Sequence, residues 1–228
     1  MALATALGGV SPGQDITVTA RAAWNGDAAS HGSPAGVVVW LAPAGEATTA
    51  TPPSSQHPRL VQKNKAFEPH VLVVPVGSVV EFPNHDPFFH NVFSLFDGKR
   101  FDLGLYEAGA TREVHFDKPG VSYIFCNIHP QMSAVVIAVP NSYYAVSDKQ
   151  GQIILPGVVP GHYMVHAWYE GAVPEELEKL EREVTISERN SSLGVLHLKL
   201  PHAVQTHKNK YGRDYDPPTP SSPGYEQP

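Results

Sequence analysis

The chain has 228 residues, 42% of them hydrophobic, which is enough to bury the core of one large or two modest domains. Charged residues make up only 17%, whereas 19 Gly and 22 Pro favour short strands joined by turns over long amphipathic helices. The net charge of -6, without a Lys/Arg run, argues against a nucleic-acid partner, and no stretch approaches the roughly 20 apolar residues of a membrane span. We therefore predict an all-β protein with no nucleic-acid partner and no membrane span.

The first 14 residues are apolar and rich in small side chains, but they lack the basic flank and the length of an export signal. We interpret 1–14 as disordered or as a residual export segment. Two predicted strands follow, over 15–24 and 36–41, separated by a turn rich in Gly, Ser and Asn.

Between residues 67 and 139 the turn-forming residues recur every 8 to 12 positions, a spacing typical of a β-sandwich or barrel. The strands predicted in this segment are 71–76, 79–82, 111–116, 123–126 and 134–139. With 15–43 supplying its first strands, we predict one sandwich domain over 15–140.

The run from Pro140 to Ser142 interrupts this pattern, and a smaller set of predicted strands follows it, over 143–146, 152–155, 163–169, 183–186 and 194–200. These strands predict a small β-sandwich domain over 141–200. Within it, 175–182 fits a short helical turn and a solvated loop equally well. The polar residues 201–228 are dominated by Pro, Ser, Gly and Tyr, and we predict a disordered tail.

One loop carries most of the chemistry. Cys126, His129 and Met132 recur every three residues between two predicted strands, and His90, at the start of another strand, is the candidate for a fourth ligand. Two imidazoles and one thiolate with a weak axial thioether favour type 1 copper, because zinc sites rarely use Met. The chain has only 3 Met, so a Met in this position is improbable by chance.

These residues belong to a longer pattern that resembles the cupredoxins, the small blue-copper proteins. The pattern consists of Phe67-Glu68-Pro69, Leu72, Val74, Gly77, Val80-Glu81-Phe82, Asn84, Asp86, His90-Asn91-Val92, Pro119-Gly120 and the loop from Cys126 to Met132. The loop spacing is that of amicyanin-like members, and plastocyanin-like members have two more residues between the His and the Met. The resemblance implies a Greek-key β-sandwich.

The resemblance also implies a role for each residue. His90, Cys126 and His129 would be equatorial copper ligands, Met132 the axial ligand, and Asn91 an outer residue that ties the two ligand-bearing loops together. The implied function is one-electron transfer outside the cytoplasm, in the periplasm or an equivalent compartment, with a redox partner protein docking transiently near His129. The absence of any His-x-His pair argues against multicopper-oxidase chemistry, so we do not expect an enzyme.

Two alternatives stay open at this stage. The chain could store or deliver copper without relaying electrons, and His162 and His166 alternate onto one strand face where they could bind a second metal. The segment 151–163 resembles the transthyretin-like modules found in carboxypeptidase regulatory domains, which implies a structural or partner-docking role for 141–200.

Overall fold

The computed structural model describes residues 15–25, 33–45, 57–95, 98–201 and 207–215. In chain order the strands are β1 Ile16–Trp24, β2 Val38–Pro43, β3 Val61–Lys63, β4 Ala66–Glu68, β5 Val71–Pro75, β6 Ser78–Pro83, β7 His90–Ser94, β8 Phe101–Tyr106, β9 Thr111–Phe116, β10 Gly120–Cys126, β11 Ser133–Val139, β12 Tyr144–Val146, β13 Gln152–Val158, β14 Gly161–Trp168, β15 Arg182–Ile186 and β16 Ser192–Leu198, with helix α1 Pro174–Glu178 between β14 and β15. The predicted all-β class is confirmed. The predicted segment 1–14 lies outside the described residues.

The first lobe, defined as residues 57–140, contains the candidate site. One layer is a five-stranded sheet in the order β5-β11-β10-β7-β8, in which only the β5–β11 pair is parallel. The other layer consists of β6 paired with β9, and isolated bridges connect β6 to the β3–β4 hairpin region. Large apolar side chains such as Phe82, Phe116 and Ile124 fill the space between the layers.

Strand β10 shows how the sequence directs Cys126 inward. Ser122, Ile124 and Cys126 are buried with 0% exposure, whereas Tyr123 between them is 37% exposed. A period of two residues is expected for a strand that packs one of its faces on the core. Cys126 therefore ends β10 with its thiol in the core of the first lobe.

The second lobe consists of β1, β2 and β12–β16. Its sheets have the orders β13-β1-β16 and β12-β2-β14-β15, and they enclose a core of their own. The expectation that 15–43 supply the first strands of the same sandwich as the copper loop is therefore wrong. β1 pairs with β13 and in parallel with β16, and β2 pairs with β12 and β14. The first lobe is inserted between β2 and β12.

A third apolar cluster joins the lobes. Strands β5 and β11 of the first lobe meet β2 and β14 of the second through six buried side chains, namely Val38, Val73, Val135, Ile137, Val139 and Trp168. Beside this cluster His70 bonds to the Glu170 carboxylate, with N···O distances of 3.1 and 2.9 Å.

Residues 207–215 pack against the loop that follows Cys126. Tyr215 and Lys210 both bond to that loop, so the prediction of a disordered tail over 201–228 is wrong for this segment. Residues 202–206 and 216–228 lie outside the described part of the chain.

Candidate metal centre

His90 is the first residue of β7, and the contacts of its ring fix how its two nitrogens are oriented. The side chain is 0% exposed, and its Nε2 lies 2.9 Å from Asp86 Oδ2. Because a neutral imidazole carries one N–H, donation from Nε2 to the carboxylate leaves Nδ1 with a free lone pair. The Asp86 contact therefore leaves Nδ1 as the atom through which His90 could bind a metal.

Asp86 is itself fixed by the turn between β3 and β4. The N–H groups of Asn64 and Lys65 donate to its two carboxylate oxygens at 2.6 and 3.0 Å. Both turn residues have positive φ, 55° and 56°, as in a type I′ hairpin. Burial alone would raise the pKa of Asp86, but these N–H groups and the His90 ring together lower it below its usual value. The carboxylate is thus held ionised behind His90.

The loop from Cys126 to Met132 is closed by its own backbone. The Cys126 N–H donates to the Met132 carbonyl at 3.3 Å, and the Met132 N–H donates to the His129 carbonyl at 3.0 Å. Across to β7, the Asn127 N–H donates to the Asn91 carbonyl at 2.9 Å. This bond connects the two loops through the Asn91 backbone, while the Asn91 side chain donates to Asp102. The role of Asn91 beside a bound metal stays a prediction.

Three donor atoms converge where these loops meet. Cys126 Sγ lies 3.6 Å from His90 Nδ1 and 3.7 Å from His129 Nδ1, and the two Nδ1 atoms are 3.2 Å apart. Imidazole and thiolate donors arranged trigonally around one ion, at bond lengths of roughly 2.0–2.3 Å, stand about 3.5 to 3.8 Å apart. The two S···N distances lie in this range, and the N···N distance of 3.2 Å is a few tenths of an ångström shorter. The two imidazoles would move apart slightly to bind one small metal ion together with the thiolate.

Met132 lies close to this trio along the chain. Its side chain is 0% exposed in the core cluster that also contains Cys126. The backbone bond to His129 places Met132 at the end of the ligand loop, directly before β11. Axial ligation by its thioether stays a prediction.

The protonation of the three donors follows from their burial. Burial lowers the pKa of His90, and it lowers the pKa of His129 to about 4, with a further contribution from His90. Burial raises the pKa of the Cys126 thiol, although the backbone N–H groups of Asn91, Ile128 and His129 offset part of that rise. Both imidazoles are neutral at neutral pH, and a metal would displace the proton of the thiol.

The site approaches solvent at His129, which is only partly buried. The Phe88 ring lies 5.4 Å from the rings of both His90 and His129. The two chain neighbours of His129 are exposed apolar residues, Ile128 at 38% and Pro130. The edge of the centre therefore faces solvent through an apolar surface.

Two other groups of candidate ligands have different surroundings. His166 bonds to Glu181 and stacks on Trp40, while His162 Nδ1 lies 3.0 Å from the Thr185 hydroxyl, so each histidine has a partner of its own. On the first lobe, one donor atom each from His57, Glu81 and Glu113 lies within 4.8 Å of the others. Arg59 pairs with Glu81 at 3.0 Å, so salt bridges account for that exposed cluster.

Sequence reasoning missed three contributors to the centre: Asp86 as the partner of His90, the Asn64–Lys65 turn that anchors it, and the segment 207–215. Asn64 is a residue type that tolerates positive φ and favours turns, but the three-residue strands on either side of it show no recognisable alternation. Asn209 and Gly212 likewise indicate a turn within the polar tail.

The fold and the site define an all-β protein with a preformed cluster of two imidazoles and one thiol. No protein-family model matches the chain, and no curated protein matches it. In the part of the chain that the structure describes, no helix is both long enough and apolar enough to cross a membrane.

Among solved structures, the chain is similar to a purple cupredoxin from Nitrosopumilus maritimus, at 24% identity over 36% of this chain and 99% of that one, with a TM-score of 0.33. A copper-containing nitrite reductase from Thermus scotoductus SA-01 is 25% identical over 43% of this chain and 25% of that one, with a TM-score of 0.36. A mutant of amicyanin in the Cu(I) state is 17% identical over 44% of this chain and 98% of that one, with a TM-score of 0.35. The resemblance of the second lobe to transthyretin-like modules stays a prediction.

Proposed function

We propose that the chain binds one copper ion through His90, Cys126, His129 and Met132 and acts as a one-electron carrier outside the cytoplasm. The observation that carries this proposal is the convergence of two Nδ1 atoms and one Sγ within 3.2–3.7 Å of one another in the core of the first lobe. Two imidazoles and a thiolate, with a thioether near them in the chain, suit copper better than zinc.

Bound copper would supply a Cu(I)/Cu(II) couple, which exchanges one electron without bond making. The protein would keep the donor atoms in place during that exchange. Cys126 and His90 are held in paired strands, and His129 is held by the backbone bond of Met132 to its carbonyl. Electron transfer is fast when the ligands move little, so this rigidity supports a carrier.

His129 is the proposed route for electrons, because Cys126, His90 and Met132 are fully buried and His129 alone among the four reaches solvent. The apolar side chains around it, Phe88, Ile128 and Pro130, form the surface on which we propose that a redox partner docks. Transient redox complexes bury less than roughly 1,200 Å², so a patch of this kind is sufficient.

The test is the visible absorption spectrum after addition of one equivalent of Cu(II). We expect an intense thiolate-to-copper band in the wild type and its loss in Cys126→Ser. The matched control is the double variant His162→Gln with His166→Gln, which removes the two histidines that could bind copper on the second lobe. This variant should keep the band.

A colourless protein, or a weak band that does not depend on Cys126, would contradict the electron-carrier proposal. If the band is present, repeated reduction and oxidation in the presence of a Cu(I) chelator separates a carrier from a delivery protein. A carrier retains its copper through the cycles, whereas a delivery protein loses it at each reduction.

A further inference from the structure

The segment 207–215 has a shape of its own, set by Asn209. Its side-chain oxygen accepts hydrogen bonds from the N–H groups of Tyr211 and Arg213 at 3.0 and 3.1 Å. The backbone adds two bonds, from Asn209 N–H to the Arg213 carbonyl and from Gly212 N–H to the Asn209 carbonyl, both 2.9 Å. Gly212 has φ +74°, which glycine adopts readily. A turn that organises itself loses less conformational entropy when it packs on another element.

The segment 207–215 contacts three consecutive residues, the last two of β10 and the residue that follows it. The His207 ring stacks on the Phe125 ring with a centroid distance of 4.0 Å and an interplanar angle of 22°. Tyr215 Oη donates to the Cys126 carbonyl at 2.7 Å. The Lys210 N–H donates to Asn127 Oδ1 at 3.0 Å. The candidate thiolate ligand and both of its chain neighbours therefore each have a partner in the tail.

The same segment also reaches β8, the strand that pairs with the one that carries His90. Lys210 Nζ lies 2.8 Å from Asp102 Oδ2, and the other oxygen of that carboxylate accepts a hydrogen bond from Asn91 Nδ2 at 2.7 Å. Asn91 directly follows His90. Through Lys210, the tail connects the ends of β7 and β10, which carry His90 and Cys126.

We propose that the segment 207–215 is a clamp on the metal centre: it holds the Cys126 end of the ligand loop against β7, slows the loss of bound metal and limits ligand movement. The inference rests on the proposed copper site for its metal readout, while the clamp itself is testable in the metal-free protein. Tyr215 and Lys210 are positioning residues, because they act through Cys126, Asn127 and Asp102.

The experiment uses the full chain with two mild substitutions. Tyr215→Phe removes only the hydroxyl that bonds to the Cys126 carbonyl, and Lys210→Met removes the ammonium but keeps the backbone N–H. The matched control is Tyr211→Phe. Tyr211 lies in the same turn, its side chain is 72% exposed, and the substitution keeps the aromatic ring whose centroid lies 5.4 Å from Lys210 Nζ. Copper loss from the Cu(I) protein to an excess of chelator is followed with time.

We expect Tyr215→Phe to lose copper roughly tenfold faster than the wild type, the lower end of the effect of removing an outer-shell partner. Lys210→Met should also lose copper faster than the wild type, and Tyr211→Phe should lose it at the rate of the wild type. In the metal-free protein, hydrogen exchange of the Asn127 and Ile128 amides should accelerate in Tyr215→Phe and not in Tyr211→Phe.

The outcomes separate the two proposals. If the wild type shows no thiolate-to-copper band, the copper proposal fails, and the amide exchange rates alone decide whether the clamp exists. If the band is present but Tyr215→Phe and Lys210→Met behave like Tyr211→Phe in both copper loss and amide exchange, the clamp is overturned and the copper site stands.

Discussion

At the scale of single residues, the two histidines of the centre differ in what lies behind them. His90 has the Asp86 carboxylate on its Nε2, whereas His129 reaches solvent. A carboxylate behind a ligand imidazole raises the basicity of the ring and favours the more highly charged metal state. Asp86 is therefore expected to stabilise Cu(II) relative to Cu(I).

Asp86→Asn tests this expectation. An amide oxygen in the place of Oδ2 still accepts the hydrogen bonds from His90 and Lys65 after the charge is removed, while the amide nitrogen in the place of Oδ1 loses the bond from the Asn64 N–H. We expect the affinity for Cu(II) to fall by about 10- to 100-fold. If the affinity for Cu(I) is unchanged, each tenfold loss raises the reduction potential by about 59 mV. Spectroelectrochemical titration measures the potential. Asp117→Asn, on the surface beside Lys99, is the control, and a potential that stays the same or falls in Asp86→Asn contradicts the role.

The residues of the centre were predictable to different degrees. His90, Cys126 and His129 do converge, and they were recognisable because metal chemistry depends on residue type and on spacing within one loop. Asp86 was not assigned its role, because that role depends on the Asn64–Lys65 turn folding over it from another part of the sequence. The spacing of residues within one loop gives no information about a contact between distant segments of the chain.

At the scale of elements, Gly151 reveals how closely β1 approaches the strand that it pairs with. Gly151 precedes β13, and its carbonyl accepts the Ala22 N–H at 2.8 Å. It has φ +76°, and a Cβ added there would lie 2.3 Å from the Ala22 carbonyl oxygen. Gly157 also has positive φ, +71°, but has no atom within 4 Å of an added Cβ.

Gly151→Ala should therefore destabilise the protein more than Gly157→Ala. Both substitutions cost roughly 1–2 kcal/mol for a side chain at positive φ. Gly151→Ala must also displace the β1 backbone, and we expect a further 1–3 kcal/mol, as for overpacking in a core. Urea unfolding of both variants measures the difference. If the two substitutions lowered the free energy of unfolding equally, the β1 backbone would be able to shift, without cost, away from the methyl group that Gly151→Ala adds.

The strands themselves were largely predictable, whereas their partners were not. The alternation of buried and exposed residues in β1 would suit a strand in the sheet of either lobe. It therefore identifies a strand without identifying the strand that pairs with it. Strands β3, β4 and β8 were not predicted. β3 and β4 have three residues each, too few for a recognisable period, and β8 contains Gly104 at φ +68°.

At the scale of the whole molecule, the order of strands along the chain differs from their order in space. β1 and β2 come before the first lobe in sequence, but they complete the second lobe, which resumes at β12. Residues 207–215 then return from the second lobe to the ligand loop of the first. Composition predicted a disordered tail because it describes how much a segment can bury alone, and this segment is ordered by contacts with Cys126 and Asn127.

The ion pair between His70 and Glu170 connects the lobes in a pH-dependent way. The hydrogen bond that His70 donates to the Glu170 carboxylate raises the pKa of His70, and the same bond lowers the pKa of Glu170. The contribution of His70 is fully present below its unfolded pKa, near 6.5, and is lost as the pH rises through the folded value. The contribution of Glu170 is present above its unfolded pKa, near 4.3, and is lost as the pH falls through the folded value.

The pair is therefore strongest between about pH 4.3 and 6.5. Both side chains are substantially exposed, 47% and 36%, so we expect at most about 1 kcal/mol. The free energy of unfolding of His70→Gln should fall below that of the wild type by up to this amount at about pH 5.5, and the gap should close by about pH 8.5. His162→Gln is the control, because His162 bonds to a hydroxyl instead of a carboxylate. A gap that is the same at both pH values would show that His70 stabilises the interface by packing and its bond to the Ser133 carbonyl, without the charge of Glu170.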